Sequence, residues 1–417
     1  MSDENGARVV VTGMGAVTPV GLNVDDYWEG LVAGRSGIGP ISLFDADQLT
    51  VRIAGEATGF EPTDYIERKA SRRMDRFSQF AVVAAAEAVR SAGDFITEAN
   101  CERVGTMIGT GIGGITTLNA QFDVLHERGP NRISPFVVPM MLPNMASGQV
   151  SIELGARGPN IAPTSACSSA ADAIGIAAKL LREGDADWIV AGGAEAPICE
   201  MSVAGFAAAR ALSVRNDAPE EASRPFDRGR DGFVMGEGAG VLILELAKHA
   251  LERGAPILCE LAGYGAVADA YHLTQPIADG DGGARAMQAA LTNAELEAEE
   301  VDYINAHGTS TPANDGTETK AIKRVFGESA QDVPISSTKS MTGHLMGAAG
   351  AIEAIACIKS IREGVIPPTI NLTDPDPECD LNYTALEAAT RDVRVALTNS
   401  MGFGGHNACL VFKRWEP

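Results

Sequence analysis

Asn160-Ile161-Ala162-Pro163-Thr164-Ser165-Ala166-Cys167-Ser168-Ser169-Ala170 follows the turn pair Gly158-Pro159 and runs into a helix-forming stretch. Asn160-Ile161-Ala162 is expected to be a short buried strand. Ser168 through Arg182, SSAADAIGIAAKLLR, is rich in Ala, Ile and Leu and predicts a helix closed by Gly184. Strand, turn and helix in this order place Cys167 at a helix start. There the macrodipole and unpaired backbone N–H groups favour a thiolate and can also cradle an oxyanion. A free cysteine is otherwise a small buried hydrophobe.

Two further segments favour chemistry. Asn305-Ala306-His307-Gly308-Thr309-Ser310-Thr311-Pro312 follows the strand-like Val301-Asp302-Tyr303-Ile304. Ser337-Thr338-Lys339-Ser340-Met341-Thr342-Gly343-His344 leads into a run of small residues. The chain has only 6 histidines, and two of them stand in Gly-, Ser- and Thr-rich turns, where a scaffold presents catalytic groups.

TSACSSA, NAHGTSTPAND, SSTKSMTGHLMGAAGAIE and the C-terminal NSMGFGGHN resemble the Cys-His-His condensing enzymes of the thiolase superfamily, of the 3-oxoacyl-acyl-carrier-protein synthase II type. The resemblance runs nearly end to end, from RVVVTGMGAVTPVG through GTGIGG and ASRPFDRGRDGFVMGEGAG to the last strand. It implies an α/β thiolase fold, two similar βα halves at 1–255 and 256–417 stacked as five α-β-α-β-α layers, and a homodimer. It also implies decarboxylative condensation of acyl and malonyl thioesters carried on an acyl carrier protein, in fatty-acid elongation.

Composition agrees with that class. A 417-residue chain, 45% hydrophobic with 46 glycines, suits a globular α/β protein. Seven cysteines without a C-x-x-C pair argue against a disulfide framework and a zinc site. The acidic start lacks the character of a secretory signal and no apolar run reaches membrane length, so a cytoplasmic location is expected. The net charge of -22 opposes nucleic-acid binding. It also requires a local cationic dock if the carrier is acidic. By resemblance Lys69, Arg72, Arg73 and Arg210 are the candidates, the first three in the densest basic stretch of the chain. A charge run is otherwise a solvated helix face.

β-like and α-like runs alternate along the chain, which predicts a parallel-rich sheet with helices on its faces. Strands are expected at 104–108, 188–191, 240–245, 257–262 and 303–305, helices at 284–294 and 348–362, and a final hairpin through 396–398 and 408–412.

The chemistry assigns roles to named residues. Cys167 is the acyl-holding nucleophile. His307 and His344, as neutral imidazoles, donate N–H groups to the enolate left when CO2 departs. The backbone N–H groups of Cys167 and Phe403 hold the second oxyanion. By resemblance Lys339 orders the site with Glu353 as partner, Thr309 and Thr311 meet the pantetheine arm, and Phe403 is a gate over the acyl tunnel. Ile112 lines the deep end of that tunnel. Asn305, Ser400 and Glu353 resemble a structural site for Na+ or K+; no other cofactor is implied. GTGIGG lacks the Lys-Ser/Thr of a phosphate loop and is not read as a nucleotide site. Met401 stands where an aromatic is common and His406 where threonine is common, which leaves acyl length open. The rivals are a dissociated polyketide ketosynthase and a non-catalytic chain-length partner. A degradative thiolase would need a second cysteine in the C-terminal glycine turn, which reads GFGGHN.

Overall fold

A computed structural model describes residues 8–417. The first half contributes β1 (Val9–Val17), a short ribbon of β2 (Gly39–Pro40) and β3 (Ile53–Ala54), then β4 (Val104–Gly109), β5 (Asn160–Ile161), β6 (Trp188–Glu195) and β7 (Gly238–Leu246). The second contributes β8 (Cys259–Ala268), β9 (Tyr303–Asn305), β10 (Ile335–Ser336), a ribbon of β11 (Val365–Ile366) and β12 (Ala389–Thr390), then β13 (Val395–Gly402) and β14 (His406–Lys413).

Ten of these strands form one sheet in the order β10-β9-β13-β14-β8-β1-β7-β6-β4-β5. The order exposes a duplication too faint to assert from sequence. Reading inward from β5, the first half runs β5-β4-β6-β7-β1; reading inward from β10, the second runs β10-β9-β13-β14-β8. In each half the two outer pairings are parallel and the next two antiparallel. The halves join where β1 pairs antiparallel with β8, Val9–Val11 against Cys259–Leu261.

This corrects the parallel-rich expectation. Parallel pairs occur only at the two ends of the sheet, because the closing strand of each half runs back beside its neighbour. A linear alternation of β and α segments carries no sign of that reversal. Asn160–Ile161 is also not buried: β5 is the terminal strand, pairs only with β4, and leaves Ile161 43% exposed. The strand expected from Ile257 starts at Cys259.

Side-chain alternation explains the layering. Leu242 and Leu244 of β7 enter one core, whereas Val241 and Ile243 enter another on the opposite face. Tyr303, Leu410 and Phe412 likewise face the first core, and Ile304, Cys409 and Val411 face a third. The shared core is the middle layer. It holds the Ser169–Glu183 and Ala349–Glu363 helices, which are buried along most of their length. The Arg76–Ser91 helix covers the outer face of the first half, and the Asp281–Ala294 and Pro312–Phe326 helices cover that of the second. Layers of this kind put the N-terminal ends of both central helices beside the ends of β9, β10 and β13, where the candidate residues stand. Among the described residues no helix is long and apolar enough to cross a membrane.

Candidate active site

Cys167 lies in a 3-10 turn, Ala166–Ser168, directly ahead of the Ser169–Glu183 helix, which ends at left-handed Gly184. Ala166 adopts φ 53, a left-handed conformation unfavourable for a residue with a Cβ. A polar web holds the turn in place. The Ser165 N–H donates to Ser169 Oγ at 2.9 Å, and Ser168 Oγ donates to the Ser165 carbonyl at 2.9 Å. Asp172 accepts from Ser165 Oγ, from Ser168 Oγ and, at 2.7 Å, from the Tyr264 hydroxyl on β8 of the other half. Gly175 lets Tyr264 approach, since a Cβ there would lie 2.2 Å from its ring.

The electrostatics of the thiol differ from the expectation. Burial pushes the Cys167 thiol up to about 12, and Glu195 and Glu353 add to that rise. Lys339 and a hydrogen bond from the Phe403 backbone N–H pull the other way and are outweighed. Cys167 therefore rests as a protonated thiol, because removal from water disfavours the charged form more than local donors favour it.

The Phe403 N–H reaches the sulfur because the β13–β14 turn packs against the Cys167 turn. Gly402 makes that approach possible: a Cβ there would stand 2.8 Å from the Ser165 carbonyl and 3.2 Å from Cys167 N. Gly404 and Gly405 follow at φ 86 and 76. The Phe403 ring is 39% exposed and lies 6.4 Å from that of Phe206.

His307 leaves β9 and His344 follows the left-handed Gly343. Their rings meet edge to face, 5.3 Å apart with an interplanar angle of 87°. Phe233 packs its ring 5.4 Å from His344 on another side. Burial, and the Lys339 charge after it, hold both imidazoles well below the ordinary histidine range, so both are neutral. Among the described residues Nδ1 of each is buried without a hydrogen-bond partner, which leaves Nε2 to meet a ligand.

Lys339 is 1% exposed and ion-paired with the fully buried Glu353, as the resemblance implied. Its charge acts on Cys167, His307 and His344 although it does not line the cavity. Lys339 thus sets the field of the site from behind it.

A cavity of about 510 Å3 joins these groups. Cys167, His307, His344, Thr309, Thr311, Ile112, Met401, Phe403 and Arg210 all line it. Thr311 has a structural task as well, capping the Pro312–Phe326 helix through the Asn314 N–H, and its hydroxyl lies 3.0 Å from that of Thr309. Lys69, Arg72 and Arg73 are exposed on and after the short Arg68–Ser71 helix and are not part of the lining. Arg73 stacks on Phe136, 4.7 Å from its ring. Arg76, at the end of the same basic run, is committed to Glu237 at 2.6 Å.

Asn305 Oδ1, Ser400 Oγ and Glu353 Oε2 are buried and accept no hydrogen bond among the described residues. Asn305 sits in register between Ser336 and Thr398 across β10, β9 and β13. Unsatisfied buried acceptors of this kind suit a hard monovalent cation. Among the described residues no group of three or more His, Cys, Asp or Glu could hold a metal ion.

Three carboxylates escaped the sequence reading. Asp172 ties the Cys167 turn. Glu318 accepts the backbone N–H groups of His307 and Gly308 at 2.8 Å each, and an Asn399 side-chain N–H at 3.1 Å. Glu195 gathers the turn after β4 and the segment after His344. Each lies in a helix or strand where a carboxylate has no distinctive spacing; only burial reveals it.

Residues 6–250 match the family profile described as beta-ketoacyl synthase, N-terminal domain, and residues 258–373 match beta-ketoacyl synthase, C-terminal domain. The chain is 54% identical to the 3-oxoacyl-[acyl-carrier-protein] synthase 2 of Synechocystis sp., covering 98% of both chains. It is 53% identical to the protein of that name from Staphylococcus aureus, covering 98% of this chain and 99% of the other. Among solved structures, a beta-ketoacyl synthase from Burkholderia phymatum matches at TM-score 0.90 and 38% identity, over 98% of this chain and 100% of the other. A type II polyketide acyl-carrier protein in complex with its ketosynthase bound to the hexaketide also matches, at TM-score 0.90 and 36% identity, over 99% and 100%. The chain belongs to the beta-ketoacyl synthase family.

Proposed function

We propose that the protein condenses an acyl group with malonyl-acyl-carrier-protein, losing CO2 and giving 3-oxoacyl-acyl-carrier-protein in fatty-acid elongation. The observation that carries this is the pairing of two neutral imidazoles with a thiol that receives the Phe403 N–H, all lining one cavity. In the first half-reaction Cys167 Sγ attacks the acyl thioester. The carrier thiol leaves with the proton, and an acyl-Cys167 thioester remains. In the second, His307 and His344 direct N–H groups at the malonyl thioester oxygen. The C–CO2 bond breaks, its electron pair forms the enolate, and CO2 departs. The enolate carbon attacks the acyl-Cys167 carbonyl. The tetrahedral oxyanion rests on the Cys167 and Phe403 N–H groups and collapses, expelling the Cys167 sulfur as a thiolate, which takes a proton from solvent to restore the resting thiol. Neutral imidazoles suit this step, because it needs donors and transfers no proton to the enolate.

Thr309 and Thr311 receive the pantetheine arm, Ile112 closes the acyl pocket, and Phe403 with Met401 gates it. Arg210 at the cavity and the exposed Lys69, Arg72 and Arg73 dock the carrier. Asn305, Ser400 and Glu353 hold Na+ or K+ as a structural ion. The halves 1–255 and 256–417 supply the cysteine and the histidines respectively. A homodimer is supported by the exposed edge strand β5 and by apolar Ile152, Phe122 and Val138, which are 69%, 50% and 54% exposed. Elongation of fatty acids is favoured over polyketide assembly by the 53–54% identity to the synthases against 36–38% to the solved ketosynthases. A purely structural chain-length partner is disfavoured by the intact Cys167, His307 and His344.

The test uses three variants. Cys167→Ala should take no acyl group, and His307→Ala and His344→Ala should each still acylate Cys167 while losing malonyl decarboxylation by about 100-fold or more, the scale of removing an oxyanion donor. A histidine variant that decarboxylates at the wild-type rate would overturn the role of that residue.

A further inference from the structure

Glu195 ends β6 and is fully buried, and it has no cationic partner among the described residues. Its partners are neutral donors from two segments that border the cavity, Thr110–Ile112 and the one holding Met346 and Gly347. Oε1 accepts from Thr110 Oγ1 at 2.7 Å and from the Ile112 N–H at 3.1 Å; Oε2 accepts from the Gly111 N–H at 2.6 Å and from the Gly347 N–H at 2.9 Å. Ile112 lines the cavity on one wall. On the other, Met346 lines it between His344 and Gly347, in a left-handed conformation at φ 46. Both glycines are shaped around the carboxylate, since a Cβ would lie 2.9 Å from Oε2 at Gly111 and 2.6 Å from it at Gly347.

A buried carboxylate without a cation is costly, and a fold needing only to fill this space would do better with an apolar side chain. A carboxylate is also the one side chain whose two oxygens can each accept two donors at once. An amide would turn an NH2 group toward two of them. We infer that Glu195 is a positioning residue that ties the Ile112 wall of the acyl pocket to the segment bearing His344, so that filling the pocket promotes decarboxylation. The Ile112 backbone and the Gly347 backbone hang on the same rigid group. An acyl chain pressing on Ile112 is therefore felt three residues from His344. This gives the two half-reactions their order: malonyl loses CO2 fastest when an acyl acceptor is in place. The inference rests on the function proposed above.

The test reads release of CO2 from malonyl-carrier by enzyme alkylated on Cys167 with iodoacetamide, which leaves the pocket empty, or with N-decyl iodoacetamide, which fills it. In the wild type the long adduct should be faster than the short one by about fivefold or more, the lower range of coupling between sites. In Glu195→Gln the ratio should fall to about one. Equal losses with both adducts and an unchanged ratio would show a merely structural residue and overturn the inference, as would a wild-type ratio of one. No CO2 from either wild-type adduct would overturn the function itself, and the inference with it. If Glu195→Gln does not fold, Thr110→Val removes one donor and should lower the ratio part-way; a ratio unchanged there overturns the inference.

Discussion

Cys167 is held between opposing effects, and their balance decides how the enzyme rests. Its position ahead of a helix was legible from TSACSSA and the run of small residues after it. The state of its sulfur was not, because the helix-start argument sees the local donors and not the burial that the folded chain imposes. With the thiol pushed up to about 12, the thiolate is a minor form at neutral pH, and its fraction grows with pH until that value is approached. Alkylation of Cys167 by iodoacetamide should accordingly rise about tenfold per pH unit from 7 to 10, without a plateau. A plateau at or below pH 8.5 would mean that the helix start and Lys339 prevail over desolvation. The histidines were legible as loop residues. Their neutrality comes from burial and from Lys339, whose place behind the site only the fold supplies.

Among the elements, the β13–β14 hairpin does the most for the site. Its strands were legible as a final hairpin through 396–398 and 408–412, and its turn as glycines around Phe403. What the pattern could not convey is the partner of that turn, because Cys167 lies more than two hundred residues earlier and meets it only when the halves stack. Gly402 records the contact. Gly402→Ala would put a Cβ 2.8 Å from the Ser165 carbonyl, and forcing a well-packed contact apart costs about 1–3 kcal/mol. The variant should show a lower melting temperature together with slower acylation of Cys167, because the Phe403 N–H moves off the sulfur. Acylation at the wild-type rate would show that the turn does not need this approach. The two parallel pairings at each end of the sheet were legible in the βα alternation; the antiparallel centre was not, for a strand's direction is set by the connection that precedes it.

For the molecule as a whole, duplication explains why one cavity holds residues so far apart in sequence. Each half carries the same strand order, and β1 against β8 joins them so that the two central helices point their N-terminal ends at one place. The fold class was legible through the motifs, and the topological repeat became visible only as strand order. Charge also acts at this scale. A chain of net charge -22 repels an acidic carrier except where cations are exposed. Reversing Lys69, Arg72, Arg73 and Arg210 together should therefore weaken use of carrier-bound acyl groups and spare small pantetheine thioesters, with added salt imitating the change. Equal losses for both substrates would assign these residues to the fold instead. The central claim, one decarboxylative condensation on Cys167, is tested most directly by the mass of the product. Malonyl-carrier and acyl-carriers of graded length should give 3-oxoacyl-carrier two carbons longer than the acyl donor, with one CO2 released per product. Unchanged acyl-carrier, or chains carrying several unreduced extensions, would contradict it.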